Sequence, residues 1–362
     1  MNYRRELLTI LFLGLTLVLL VLGVDAHAGV RTYTQKGVAL SGGTATYFVN
    51  NTNYAIVPKY SYGSSNGYYE SGTYQNQPYY MLAIGGNFRR NANTSYYLPV
   101  SYNSSGDMAN PQSVAVSKSG QYAYVMYPGF SSGIVRYDLW KLNSLGVNTT
   151  NMAALRYGLK RRDPQIMEAV KFGPSLNVGH GQSLALNPKT NRLWFIRMDV
   201  VTRRPVFVEV SANTLAPIKE IKTTFSHSYS INNELAFDNN GNAYTYVKYR
   251  PSRRHAGSIV IFKGKIYTKS AKFRAIKQGI ANGPGVQTQG MSYNPANNRL
   301  YLISDGVITS VPVSKLGHLK NKDVRTTRFG TNLEFEGLAF TSSGTGYIMT
   351  IRGAQLFTIE NF

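Results

Sequence analysis

Five segments of the chain share one pattern of side chains, and this pattern predicts a repeated β-hairpin. Each segment runs polar, small, aliphatic, small, then aliphatic or aromatic, except that the third has Glu234 at its second position. A turn rich in Asn, Gly, Pro and Ser follows each segment, and then a strand rich in aromatic and aliphatic residues. Such turn residues favour the backbone geometry of tight hairpins. The segments are 112–116, 182–186, 233–237, 289–293 and 336–340.

The spacing of the segments predicts the architecture. Their first residues lie 70, 51, 56 and 47 positions apart, and a repeat of roughly 40–50 residues built from short strands is typical of a β-propeller blade. The longest step contains 151–172, where a helical pattern has Asp163 at the N-cap position and Pro164 as the first helical residue. The sequence therefore predicts an all-β propeller over 110–362, with a small helical insertion at 151–172 in its first clear repeat.

The last repeat is too short to complete a blade by itself. It spans 336–362, which suffices for three strands, whereas a closed propeller needs a fourth. We expect the Tyr-rich segment 29–109 to supply that strand, because ring closure removes unpaired sheet edges. Five blades are favoured, and six is the alternative if the segment forms a blade of its own. Strand-like stretches within it are 47–50, 54–57, 79–84 and 96–98.

Residues 1–28 have the features of an export signal. Arg4 and Arg5 precede an apolar run over 7–24, and the triplet 26–28 is an A-x-A cleavage site. Cleavage predicts a secreted, extracellular protein; the alternative is an uncleaved anchor, because 18 apolar residues approach the length of a membrane span. The chain has no Cys, which excludes disulfides, thiolate metal sites and a cysteine nucleophile. An exported chain without disulfides favours a Gram-positive bacterium.

A resemblance to a known group of proteins rests on short stretches within 110–362. These stretches are 179–188, 241–244, 293–295, 298–301 and 314–317. On them the chain resembles exported propeller proteins of lactic-acid bacteria that are grouped with the bacteriocin helveticin J. The resemblance implies a secreted β-propeller with a bacteriocin-like activity, and it provides no catalytic residues to transfer.

The net charge adds a class of partner to this picture. The chain has 39 Lys and Arg against 17 Asp and Glu, a formal net charge of +22. One interpretation is a surface that only keeps the protein soluble. The other is salt-sensitive attachment to an anionic cell-envelope polymer, such as teichoic acid, or to an anionic membrane surface. Specific nucleic-acid binding is not expected, because the chain is exported and has no RRM, helix-turn-helix or zinc-finger pattern. The candidate polyanion-binding residues are Lys160, Arg161, Arg162, Arg253 and Arg254, and further basic residues cluster at 263–277 and 315–322.

The polar residue that opens each repeat predicts a second candidate site. Innermost strands of a propeller line its axis, and residues two apart on a strand share a face. We therefore expect these residues, and those two positions earlier, to form a polar ring at one mouth of the channel. The ring would bind sugar hydroxyls or a cation; alternatively, its side chains only tie neighbouring blades together by hydrogen bonds. The candidate residues are Gln112, His180, Gln182, Asn233, Gln289, Glu334 and Glu336.

Enzymatic chemistry has few candidates in this chain. The histidines are scattered without metal-ligand spacing, and no G-x-S-x-G or phosphate-binding glycine motif is present. A glycosidase would need paired carboxylates, for which Glu334, Glu336 and Glu234 are the candidates. Asp199 and Asp305 are expected on outer loops. We therefore expect a monomeric binding protein without catalytic residues, metal or cofactor, with glycan binding or hydrolysis at the axial ring as the alternative.

Overall fold

The computed structural model describes most of the chain beyond the predicted signal segment. Contacts between Cα atoms group Thr32–Phe362 into one unit, which contains nearly all of the described residues. Within the described residues, no helix is long and apolar enough to cross a membrane. Four predicted features lie outside the described residues: the export signal 1–28, the strand-like stretch 54–57, Arg253 and Arg254. The described residues are 30–38, 40–41, 45–51, 60–61, 80–99, 110–128, 133–148, 151–225, 231, 233–249, 257–351 and 353–362.

Six short strands precede the first repeat, and all of them are added to sheets that the repeats build. None of the six lies on a sheet without a strand of the repeats. They are β1 Arg31–Val38, β2 Leu40–Ser41, β3 Tyr47–Val49, β4 Tyr80–Met81, β5 Ala83–Gly85 and β6 Ala92–Tyr97.

Each repeat forms one antiparallel sheet, or blade, whose own strands lie in chain order from the axis outward, except that the last strand of blade III pairs with the third strand of that blade rather than the fourth. Blade I contains β7 Ser113–Val116, β8 Tyr122–Met126, β9 Ile134–Asp138 and β10 Val170–Phe172. Blade II contains β11 Ala185–Asn187, β12 Arg192–Met198, β13 Pro205–Ser211 and β14 Pro217–Thr224. Blade III contains β15 Ala236–Phe237, β16 Ala243–Tyr249, β17 Ser258–Ile266, β18 Ala271–Ala275 and β19 Gln278–Ile280. Blade IV contains β20 Gly290–Asn294, β21 Arg299–Ser304, β22 Val307–Pro312 and β23 Arg325–Phe329, and blade V contains β24 Glu334–Phe340, β25 Gly346–Ile351 and β26 Gln355–Ile359.

Contacts between the innermost strands close the five blades into a ring. The strands β7, β11, β15, β20 and β24 each contact the innermost strand of the next blade, and β24 contacts β7. This arrangement confirms the predicted all-β, five-bladed propeller. Because the N-terminal strands extend four of these five sheets and build none of their own, the alternative of a sixth blade is wrong for the described residues.

The N-terminal segment supplies the fourth strand of blade V. The last strand of the chain, β26, pairs antiparallel with β6 and places Leu356 opposite Tyr96. Just beyond this pairing, the Leu98 N–H donates to the Ala354 carbonyl at 2.9 Å. The strand β4 lies outside β6, whereas β1 extends blade II, β2 and β3 extend blade III, and β5 extends blade IV. The segment therefore closes the ring and covers sheet edges that would otherwise be unpaired.

Apolar side chains fill the five gaps between adjacent blades, with one buried cluster in each gap. Between blades II and III, the rings of Phe207 and Phe273 stack with centroids 5.7 Å apart. Between blades IV and V, the ring centroid of Tyr301 lies 4.7 Å from that of Phe340. Because each blade buries its apolar faces only against its neighbours, the ring is stabilised as a whole.

Three helices lie between β9 and β10 in the first repeat. Asp163 caps the last of them as predicted, since its Oδ1 accepts hydrogen bonds from the N–H groups of Gln165 at 2.9 Å and Ile166 at 3.2 Å. The predicted insertion 151–172 is too long at its end, because β10 is the outer strand of blade I. The sequence pattern also does not predict the first helix. The helices are α1 Leu139–Ser144, α2 Ala154–Arg161 and α3 Pro164–Glu168.

Helix α2 contributes a side chain, Arg156, that stabilises the chain where the ring closes in blade V. Arg156 is 5% exposed; its Nε donates to the Leu98 carbonyl at 3.0 Å, and its Nη2 donates to the Ala354 carbonyl at 3.2 Å. Its guanidinium carbon also lies 5.5 Å from the ring centre of Tyr97. One side chain from the first repeat therefore contacts both strands that join in blade V. The helical insertion thus has a structural role at the closure.

Candidate functional site

The innermost strands surround a channel with a volume of about 270 Å³. Its wall contains the third to fifth residues of the repeat pattern, such as Val114, Leu184 and Phe237. Turn residues, among them Pro188 and Asn239, line it where the hairpins turn. Among the described strands, the inner edge of each innermost strand has no neighbour in its own sheet, so this edge faces the channel.

The other end of the channel is narrow, and small residues at the second position of the pattern allow this. A Cβ atom on Gly290 would lie 3.7 Å from the Ser183 Oγ and 3.9 Å from the Gly337 Cα, so the strands of blades II, IV and V meet here. Gly290 has a φ of +148°, a conformation that residues with side chains rarely adopt. A Cβ atom on Gly337 would lie 3.2 Å from the Val114 backbone nitrogen. The close approach explains the small residues of the pattern.

A chain of hydrogen bonds crosses this narrow end. The Gln182 Nε2 donates to the Gln289 Oε1 at 2.9 Å, and the Gln289 Nε2 donates to the Asp305 Oδ1 at 3.1 Å. The same carboxylate oxygen accepts the Phe335 N–H at 3.0 Å. The bonds join blade II to blade IV and blade IV to blade V. Gln182 and Gln289 therefore link blades II and IV across the ring, whereas the second interpretation of the polar ring expects bonds between neighbouring blades.

The expectation that Asp305 lies on an outer loop is wrong, because the residue is 2% exposed at the channel end. A two-residue turn, Asp305-Gly306, joins β21 to β22, with Ser304 opposite Val307 and a φ of 64° at Gly306. This tight turn holds the carboxylate beside Gln289 and the start of blade V. An Asp-Gly pair between two apolar runs is a strong hairpin signal, and it is the signal from which this residue could have been found.

His180 and Gln182 do not share one face of an extended strand, as the alternation of side chains along a strand predicts. Both residues precede β11. The φ angles of Gly179 and Gly181, on either side of His180, are 64° and 85°, and that of Ser183 is 55°. The chain is therefore not extended here, and His180 is exposed while Gln182 is half-buried.

Glu334 and Glu336 in blade V also do not share one face of their strand. The pairing register shifts between Phe335 and Gly337, which makes Glu336 the extra residue of a β-bulge. Bulges re-aim a side chain and break the two-residue period. Glu336 is 2% exposed, whereas Glu334 is half-buried. Spacing alone could not show this difference.

Gln112 and Asn233, the other two predicted ring residues, have no hydrogen bond to another blade within the described part of the chain. Gln112 is 8% exposed, and its Nε2 donates a long hydrogen bond of 3.4 Å to the neighbouring Pro111 carbonyl. Asn233 is half-buried just before β15. The structure therefore joins Gln182 and Gln289 directly, leaves His180 exposed and keeps Asn233 half-buried.

Glu234 provides a buried carboxyl group beside the axis, at 1% exposure. Burial raises its pKa from 4.5 to about 7, against smaller lowering effects of a hydrogen bond from its own backbone N–H and of the Lys248 charge. Burial and the nearby Glu234 hold the pKa of Tyr246 well above its usual value. Burial lowers the pKa of Lys248, and its Nζ donates to the Val286 carbonyl. In the described part of the chain, no group of His, Asp or Glu side chains is arranged to hold a metal ion.

The predicted polyanion-binding residues of the first repeat lie at the C-terminal end of α2. Lys160, Arg161 and Arg162 are exposed there, and Arg162 forms the left-handed C-cap with a φ of 54°. Positive charge is favourable beside the free carbonyl groups of a helix end. These residues therefore have a structural explanation besides binding.

Charge is unevenly distributed among the blades. Blade II pairs basic residues with carboxylates, for example Arg197 with Glu220 at 2.9 Å and Lys219 with Glu209 at 3.0 Å. In contrast, the stretch 239–304 contains eleven Lys and Arg and no Asp or Glu. That stretch includes the outer strands of blade III. Those strands therefore carry basic charge without carboxylates of their own.

Comparisons with known proteins do not assign an activity. No protein-family model and no curated protein matches the chain. Similar solved structures include a protein of unknown function from Bacteroides thetaiotaomicron, with 11% identity, a TM-score of 0.41 and coverage of 86% of this chain and 74% of that one. Others are a streptogramin B lyase (12% identity, TM-score 0.30, coverage 75% and 72%) and the soluble aldose sugar dehydrogenase of Escherichia coli (7%, 0.37, 71% and 97%). At these values the similarities carry no argument about activity, and the helveticin J resemblance stays a prediction.

The buried position of Asp305 predicts a loss of stability when its carboxylate is removed. We expect Asp305→Ala to lower the free energy of unfolding by about 1–3 kcal/mol, because the Phe335 N–H and the Gln289 amide lose a buried acceptor. Asp305→Asn keeps an acceptor oxygen and should cost less. Denaturant unfolding with unchanged m-values measures the difference. Equal stability of Asp305→Ala and the unmodified protein would contradict the blade-linking role.

Proposed function

We propose that the protein is a secreted β-propeller that binds an anionic polymer of the bacterial cell envelope through basic surface residues. The observation that carries the proposal is the stretch 239–304, with eleven basic and no acidic residues. The export signal supports an extracellular location, where wall and membrane-linked polymers are the polyanions at hand. A surface of one charge sign attracts such polymers and speeds their association.

The proposal predicts salt-sensitive retention on Gram-positive cells. If about four charges on the protein neutralise phosphates of a single-stranded polymer, affinity should fall roughly 50-fold between about 50 and 200 mM salt. Sedimentation of the protein with intact cells across a salt series measures this loss. Cells that lack wall teichoic acid are the matched control and should retain much less protein at low salt. Retention that is independent of salt would contradict the proposal.

A bacteriocin-like activity is the finer part of this proposal, and it is supported by the resemblance to the helveticin J group. A growth-inhibition assay on related Gram-positive bacteria tests it. Inhibition that weakens in parallel with envelope binding supports the activity. Full binding without inhibition removes the bacteriocin assignment and leaves envelope binding intact.

Glycan binding at the channel end is a second candidate function, favoured by the polar groups that face solvent there. His180 is exposed, and Gln182, Asn233 and Glu334 are half-buried; such groups suit the hydroxyls of a sugar. Salt-independent retention on a defined glycan, lost in His180→Ala at unchanged Tm, would support this candidate. Release of reducing sugars that stops in Glu336→Gln would extend it to hydrolysis.

A further inference from the structure

Four basic residues on the outer strands of blade III form a two-by-two array. In the β17–β18 pair, Lys263 lies opposite Arg274, and Lys265 lies opposite Lys272. Residues two apart on a strand share a face, so all four side chains project from one face of the sheet. Strand geometry places them about 5 Å apart across the pair and about 7 Å apart along each strand. Lys265, Lys272 and Arg274 are exposed, and Lys263 is half-buried.

The register of this array is fixed by the other face of the same strands. Phe262, Ala271 and Phe273 are buried there in the cluster between blades II and III. A one-residue slip would expose these apolar side chains and bury the cations, so the pairing is strongly specified. The pattern requires polar residues on the outer face, but it does not require four positive charges.

Like charges directly opposite each other destabilise an antiparallel pair. No carboxylate occurs in 239–304, and among the described residues no ion pair joins one of the four to a carboxylate of another segment. Asp238, which precedes this stretch, is buried and accepts hydrogen bonds from the Asn242 side chain at 2.8 Å and the Tyr244 hydroxyl at 2.9 Å. Two opposed like-charge pairs therefore break a local rule of sheet stability, which is expected where a site serves binding.

We propose that the blade III array is the binding site for a linear phosphodiester polymer. This inference rests on the proposed function, and it names the site and the chemistry that this function uses. The array borders a surface depression of about 240 Å³ that Asn242 and Tyr267 also line. A depression lined by four cations fits a single polymer chain better than a flat bilayer. Each opposed pair can hold one phosphate by charge-assisted hydrogen bonds, and successive phosphates then follow the strand direction.

The array variant Lys265→Gln/Lys272→Gln tests the proposal with purified poly(glycerol phosphate) as the probe. We expect binding at low salt to fall about tenfold, and the slope of log affinity against log salt to fall by about 1.4, since each lost charge contributes roughly 0.7. We also expect Tm to rise by about 1–3 °C, because repulsion between opposed lysines is removed. Weaker binding together with higher stability is a result that damage to the fold cannot produce.

Two further variants separate the array from total charge and from folding. The control Lys118→Gln/Lys189→Gln removes the same charge from exposed hairpin turns of blades I and II, and its affinity should stay within about twofold of the unmodified protein at equal Tm. Lys265→Glu places a carboxylate opposite Lys272, so it should weaken binding and raise Tm. Equal affinity of the array variant and the unmodified protein, or a lower Tm in the array variant, would overturn the proposal.

The failure of this inference is distinguishable from failure of the proposed function. If the unmodified protein and the array variant bind cells with teichoic acid equally well, the assignment of the binding site to the array is wrong, but the proposed envelope binding remains supported. If the unmodified protein binds poly(glycerol phosphate) through the array but does not bind such cells, the assignment of the binding site remains supported and envelope binding is wrong. Stronger binding to vesicles of anionic phospholipid than to the polymer would overturn the assignment to a phosphodiester chain.

Discussion

Removal of residues 1–109 should abolish cooperative folding of the propeller. The deletion removes β6 and leaves its partner β26 with an unpaired edge. It also removes Tyr96 and Leu98 from the buried cluster between blades V and I, which uncovers Met349 and Leu356. Loss of a large buried side chain costs roughly 2–5 kcal/mol, so loss of several consumes the 5–15 kcal/mol that is typical of a whole domain.

A shorter deletion and a peptide complement make this test specific. Deletion of residues 1–79 keeps β4, β5 and β6, and it should lower Tm without abolishing the cooperative transition. A peptide that spans 80–99, added to the chain 110–362, should restore the near-ultraviolet circular dichroism of packed aromatic rings. Cooperative unfolding of 110–362 alone, at the Tm of the full chain, would show that closure by β6 is dispensable.

The propeller could be predicted because its innermost hairpins carry both a repeated pattern and strong turn residues. The closing strand is harder to predict, since β6 starts at Ala92 rather than within 96–98 and residues 93–95 are polar. Thr94 shows why polar residues fit there: it is fully buried, and its Oγ1 donates to the Gln355 side chain at 2.7 Å. Partners more than 200 positions away decide this strand, and no local pattern contains them.

The polar channel end could be predicted in outline but not in detail. The contact between Gln182 and Gln289 follows from their equivalent positions in two repeats. The placement of Glu336 depends on a bulge, and the exposure of His180 depends on two left-handed residues beside it. Neither feature has a period that spacing could reveal. Asp305 was within reach, because the Asp-Gly turn that positions it is visible in the sequence.

The basic residues of the blade III array could be predicted from the sequence, but their pairing across the two strands could not. The cluster of basic residues at 263–277 is plain from the sequence, and their alternation with apolar residues places them on one face. The sequence does not fix which residues oppose each other, since that depends on the register of the β17–β18 turn. Only the register turns a basic stretch into opposed like charges, and therefore into a site with a stability cost.

Glu234 should make the propeller less stable as pH rises from about 4.5 to about 7. Burial raises the pKa of this carboxyl group from 4.5 to about 7 in the folded chain, so the folded chain holds the proton more tightly than the unfolded chain. Below pH 4.5 the group is neutral in both states and has no effect on stability. As pH rises, the unfolded chain ionises first and is favoured. Above the folded pKa, the full cost is on the order of 3 kcal/mol.

Glu234→Gln isolates this contribution, because glutamine has nearly the same shape and cannot ionise. The variant should match the unmodified protein at about pH 4.5 and exceed its free energy of unfolding by on the order of 3 kcal/mol at about pH 8. Denaturant unfolding of both proteins at the two pH values measures the difference. Glu220→Gln is the matched control: Glu220 is paired with Arg197 at 2.9 Å, so its loss should not stabilise the protein at high pH. If Glu234→Gln is less stable than the unmodified protein at pH 8, the ionised carboxylate must have a favourable partner, with Lys248 as the first candidate.

The higher stability that we expect for Glu234→Gln would mean that the chain keeps a destabilising carboxyl group beside its axis, at a position where the other four blades have Ser or Gly. Glycan retention by Glu234→Gln, measured beside that of the unmodified protein, would then show whether this carboxyl group takes part in binding at the channel end.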